Sequence, residues 1–158
     1  MYRRHKLIAV GVFFLVMGIA FFFDWQFKSI AEASITVASI AMGMYIAAVS
    51  VLLGSPYAKK LKSTTDDKLP TKTHLGVLAE YFHFASTICV LLIISSSMFL
   101  ISYYPDSINK FVIDSQHKDA ILKMFSAWSY AIFAENILML KIILIFLINS
   151  LGRSVEEQ

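Results

Sequence analysis

Charge, cysteine and proline are all scarce in this chain, and each scarcity removes a class of explanation. Only 16% of the 158 residues are Asp, Glu, Lys or Arg while 58% are hydrophobic, too apolar a balance for an ordinary soluble core. The single cysteine, Cys89, can form neither an intrachain disulfide nor a CxxC redox pair, which disfavours a membrane thiol oxidase. The three prolines, Pro56, Pro70 and Pro105, all lie outside the long apolar runs. A glycine-rich phosphate loop, a nucleophile-base signature and a carboxylate cluster are lacking too, so nothing recommends an enzyme. Nor is there an internal repeat or a low-complexity run.

What the chain does have is four apolar segments, 7–23, 30–53, 75–103 and 120–150. Each reaches or exceeds the roughly 17–20 residues that cross about 30 Å of hydrocarbon at about 1.5 Å per residue. The expected fold is an all-α integral membrane protein, a single four-helix transmembrane domain over residues 1–158. The basic start MYRRHK followed by an apolar run resembles a secretory signal, with Ala31-Glu32-Ala33 as the cleavage site. The run is longer than the usual signal core of about 7–15 residues, so it reads as a retained span. Connections and tails are short, and no soluble domain is expected.

Orientation follows from the cations. Arg3, Arg4 and Lys6, then Lys59, Lys60, Lys62, Lys68 and Lys72 of the 55–74 loop, then Arg153 make nine on one side, against Lys28, Lys110, Lys118 and Lys123 on the other. Positive connections stay cytoplasmic, which places both termini inside. The net charge of +3 thus reflects topology rather than a direct nucleic-acid partner. Trp25 and Phe27 in DWQFKS are suited to an outer interfacial anchor, Gly54-Ser55-Pro56 ends the second helix, and Thr73 and Asp119 are candidate N-caps of the third and fourth. The 55–74 loop reads as a polar linker.

The second segment, SITVASIAMGMYIAAVSVLLG, gives up bulk for small residues. In lipid, apolar side chains gain little by meeting each other, so helices associate by close packing, and small residues let backbones approach. Ser39, Gly43 and Ala47 form one small-xxx-small ridge, while Ala31, Ser34, Ala38, Ala41 and Ala48 form a neighbouring stripe. With Gly11 and Gly18 on one face of the first helix, a tightly packed N-terminal hairpin is expected. Helix two either serves two sides, one within the chain and one in a homo-oligomer, or packs wholly inside a single four-helix bundle.

Polar residues inside the apolar runs are the other signal, since a charge at the bilayer centre costs about 2.5–3.5 kcal/mol on insertion scales. Helix four carries Glu135, Asn136 and Lys141, and Glu135 and Lys141 lie about 120° apart, too far around the helix to pair. Each needs a partner on another helix or subunit, or a neutral state. Glu80, His83 and Thr87 form a polar stripe on helix three, and Lys141 is expected to reach Glu80, the alternative being that Lys141 snorkels to the interface and Glu80 is wet. Glu80 and His83 are two ligands where a metal site needs three or four, so no metal and no cofactor is expected. Ser95-Ser96-Ser97 are expected to bond to backbone carbonyls. A ring of Glu135, Asn136 or Lys141 around an oligomer axis would suit an ion channel or permeabilising protein, although the apolar 137–148 region would make a dry constriction.

The layout of four helices, a basic inner N-terminus, a small-residue helix ending LLGSPYAKK and a polar inner loop resembles the KwaA membrane-subunit family of the Kiwa anti-phage defence system. The RexB exclusion proteins of phage lambda have a comparable plan. The resemblance covers the chain as layout without a shared motif. It implies a homo-oligomer, a tetramer, in the bacterial inner membrane, that senses envelope disturbance and holds a cytosolic effector such as KwaB on its inner face. The inner surface open to such docking is Lys59, Lys60, Lys62, Lys68 and Lys72 with Arg153, Glu156 and Glu157.

Overall fold

The computed structural model describes residues 2–54, 57–66, 69–101 and 115–156, and among them the architecture is four long helices with a small appendage at one end. The elements are α1 (Arg3–Phe22), a 3-10 turn (Phe27–Ile30), α2 (Ala31–Gly54), α3 (Tyr57–Ser63), β1 (Thr65–Asp66), β2 (Leu69–Thr73), α4 (His74–Leu100) and α5 (Ser115–Glu156). Four stretches are long and apolar enough to cross a membrane: Arg3–Phe22, Phe27–Gly54, His74–Leu100 and Asp119–Ile148, of 20, 28, 27 and 30 residues.

Local chemistry sets most of the ends. At the end of α1, the Phe23 N–H bonds to the Ile19 carbonyl and the Trp25 N–H to the Ala20 carbonyl, with Asp24 between them at φ 55°. This is a Schellman stop whose left-handed position is filled by an Asp, one of the few residues that tolerate it. Thr73 caps α4 as expected, its hydroxyl accepting the Gly76 N–H at 3.2 Å. Asp119, by contrast, is no N-cap: α5 begins a full turn earlier at Ser115, since Gln116, His117 and Lys118 include nothing that interrupts a helix. Tyr103 and Tyr104 lie outside the described residues.

The 55–74 connection is more ordered in the structure than a linker. Leu61 of α3 is buried in the core cluster while Lys59 and Lys62 face out. β1 and β2 pair antiparallel, Thr65 opposite Thr73 and Asp66 opposite Leu69, and the His74 N–H closes the loop onto the Thr64 carbonyl. One leucine among lysines and a few threonines is too short a pattern to announce either element.

α5 packs against α1 and α4, and α2 packs against α4. The registers are antiparallel. Phe99 stacks on Phe125 and Cys89 meets Asn136 between α4 and α5, while Ser34 meets Ser96 and Tyr45 meets Phe82 between α2 and α4. α2 and α5 touch little, leaving between them an apolar cleft of about 240 Å³ lined by Met44, Tyr45, Ala47, Ala48, Leu140, Ile143, Leu144 and Leu147. Phe27 is fully buried, its ring against Phe99 and Tyr130, so the expected outer anchor is instead a core residue, and Trp25 alone is exposed there.

Candidate packing face and buried polar groups

α2 is two-sided. Ala31, Ser34, Ala38, Ala41, Tyr45 and Leu52 are buried, placing one stripe of small residues where α2 meets α4. The backbones come close enough there for the Ser34 and Ser96 hydroxyls to bond at 2.6 Å, while Ser34 also donates to the Ala31 carbonyl at 2.7 Å. Ser39, Gly43 and Ala47 are exposed, and a Cβ added at Gly43 would meet nothing within 4 Å. At about 100° per residue the exposed ridge lies on the side of the helix opposite the buried stripe. It is flanked by the exposed Ile40, Met44 and Ile46, and Ala47 also lines the α2–α5 cleft.

The expected tight α1–α2 hairpin is not what forms. α1 docks on α5, and Gly11 and Gly18 are exposed with open space at each Cβ position. The residues α1 buries are Ala9 and Ala20, eleven apart and so within about 20° on one face. They carry the same small-residue signal as the glycines, and alanine's commonness hides it.

The polar residues fall into three settings. Asn136 is fully buried and its Nδ2 donates to the Cys89 thiol at 2.9 Å, tying α5 to α4. Glu135 is 5% exposed and neither of its oxygens has a hydrogen-bond partner; the Asn136 Oδ1 and the Tyr45 hydroxyl are likewise unpartnered. Lys141 is exposed, on the side of α5 away from the buried Met139 and Ile143. The expected Lys141–Glu80 pair is therefore replaced: Glu80 pairs with Lys72, which β2 brings to the start of α4. His83 and Thr87 are exposed, and Thr87 bonds back to the His83 carbonyl at 2.9 Å. Ser95 does bond to a backbone carbonyl, that of Leu92, whereas Ser96 spends its hydroxyl across the helix interface.

An oligomeric ring of Glu135 and Asn136 does not fit this arrangement, because both side chains are buried against helices of their own chain. The sequence left open whether they face the interior of one copy or an axis between copies.

At the end of the bundle that carries the N-terminus, the Tyr81 hydroxyl receives the Tyr2 N–H at 3.1 Å and lies 2.6 Å from the His5 Nδ1, which clasps the start of α1 to α4. Lys59, Lys62 and Lys72 are exposed on the appendage. Lys68 and the side chains of Lys60 and Arg153 lie outside the described residues, as do the Glu156 and Glu157 side chains. Among the described residues, no group of three or more His, Cys, Asp or Glu could hold a metal ion. Comparison with protein-family models, with curated proteins and with solved structures finds no match to this chain.

Proposed function

We propose that the chain is a non-enzymatic, oligomeric scaffold of the bacterial inner membrane, with both termini cytoplasmic, that holds a cytosolic protein at its inner face. The observation that carries this reading is the open Ser39/Gly43/Ala47 ridge, small and exposed while the opposite stripe of the same helix is already used within the chain. A second surface of this kind suits a second helix, because close backbone approach is what drives association in lipid. The layout resemblance to the KwaA family supplies the copy number, four, and the partner class, a cytosolic effector of an anti-phage system. The exposed Lys59 and Lys62 supply a cationic surface for that effector, while Lys72 is engaged by Glu80.

The test is the mass of the detergent-extracted chain. The native chain is expected as a multimer, and Gly43→Ile as a monomer of unchanged helix content. A native monomer overturns the oligomer, and a multimer indifferent to Gly43→Ile and Ala47→Leu overturns the ridge as its interface. Gentle extraction from the native host should also bring down a stoichiometric soluble protein, and its absence argues against the scaffold.

A second reading, a small channel or permeabilising protein, draws on the unpartnered acceptors of Glu135 and Asn136, which could hold water or an ion inside the bundle. It requires ion flux in liposomes that changes in Glu135→Gln, and no flux at any voltage or pH retires it.

A further inference from the structure

Among the described residues Glu135 is the one carboxyl in the middle of the helix bundle, and what surrounds it is unusually plain. Lys123 fixes the α1–α5 register at the outer end, 3.4 Å from the Asp24 carboxylate and 5.1 Å from the centre of the Phe21 ring. Both helices rise about 1.5 Å per residue in opposite directions, so the step from Lys123 to Glu135 matches the step from Phe21–Asp24 back to Ala9–Val12. Ala9 is one of the two buried residues of α1. Glu135 therefore lies at the level where α1 makes one of its two close contacts.

Nothing at that level answers a negative charge. Residues 7–23 of α1 include no titratable group. On α4 the only titratable group between His83 and Leu100 is Cys89, engaged by Asn136; on α2 the only one between Glu32 and Gly54 is Tyr45. On α5 itself, Tyr130 bonds to the Gln26 carbonyl at the outer end, and Lys123 and Lys141 stand at either end of the segment, Lys141 on the outer face. An ionised carboxylate buried without donors is among the costliest groups a protein can enclose, whereas a neutral acid costs far less.

We propose that Glu135 is a proton-binding site whose proton holds α1 against α5, and that loss of the proton to water releases α1. α1 is suited to this because it is the most lightly attached of the four long helices, burying only Ala9 and Ala20. Its nearest cation, Lys6, sits about one turn inward of Ala9, so a shift of α1 by one turn, about 5.4 Å, brings an ammonium level with the carboxylate. The His5 and Tyr2 clasp on Tyr81 sets the resting position from which that shift starts. The inference rests on the membrane placement of the helices and gives the proposed scaffold a stimulus, proton activity at its inner face, but it does not need the oligomer.

The experiment is amide hydrogen exchange of the full chain in lipid nanodiscs across pH, corrected for the intrinsic rate, with α2 and α4 amides as internal controls of folding. In the native chain, α1 exchange is expected to rise about tenfold per pH unit across one transition, the slope of a single linked proton. Glu135→Gln, neutral at every pH and nearly the same shape, should leave α1 protected throughout. Glu135→Asp should keep the transition and displace it. A flat native profile overturns the proposal, and so does a Glu135→Gln profile that keeps the native slope. Mass measured on the same samples separates the two readings. A monomer whose α1 still responds to pH sinks the oligomer alone, and a pH-indifferent multimer sinks the proton site alone.

Discussion

The Ser126 hydroxyl serves two backbone groups about a hundred residues away in sequence, accepting the Phe27 N–H at 2.7 Å and donating to the Trp25 carbonyl at 2.6 Å. It thereby fixes the short α1–α2 connection to α5, and Phe27, with its backbone so held, drops into the core. Ser126→Ala leaves a donor and an acceptor unpaired in a dry site, with an expected loss of about 1–3 kcal/mol in unfolding from detergent. A change within a few tenths would mean water replaces the hydroxyl. Asp24 makes a second residue-scale case. Its left-handed backbone favours glycine, while its ion pair with Lys123 is exposed and contributes little. Asp24→Gly should therefore melt above Asp24→Ala by about 1 kcal/mol equivalent, and the reverse order would show that the turn is not set by that backbone position. The sequence suggested an interfacial anchor in DWQFKS, but burial of Phe27 depends on Phe99 and Tyr130, which no local pattern could foretell.

At the scale of elements, the two stripes of α2 were legible from spacing alone, because residues three and four apart share a face. Which stripe turns inward was not, since both are small and neither is polar enough to be excluded from lipid. The structure separates them, and so do mutations. Ala38→Leu inserts bulk into the α2–α4 contact and should destabilise the fold itself by about 1–3 kcal/mol, read as a lower thermal midpoint. Gly43→Leu faces open space and should leave that midpoint unchanged in the monomer. Equal losses in a monomeric preparation would mean that the ridge is packed inside the chain after all. α1 illustrates the opposite failure of reading. Its glycines drew attention as a packing face, yet Ala9 and Ala20 do the packing, because a helix against one neighbour needs only a narrow strip of contact.

For the whole molecule, the two lysines of α5 mark a scale. Lys123 and Lys141 are separated by eighteen positions, about 27 Å along a helix and close to the thickness of a hydrocarbon core. Lys123 sits at the level of Asp24, and the same antiparallel register puts Lys141 at the level of Arg3 to Lys6. Lys141, expected from the sequence to reach Glu80, thus fits an interfacial lysine beside the basic start of α1. If the four candidate helices span, both termini share a side, and by the cation count of nine against four the proposed side is the cytoplasmic one. Alkaline phosphatase inserted in the 24–29 connection should then be active, and a fluorescent protein fused after residue 158 should fluoresce; dark fusions with an inactive phosphatase would invert the orientation. Neutralising Arg3, Arg4 and Lys6 together narrows the count from nine to six against four, so a mixed population reporting from both sides is expected. A triple variant as uniformly oriented as the native chain would mean that the 55–74 lysines alone fix the topology. The basic start would then serve chiefly to carry Lys6 and the His5 clasp.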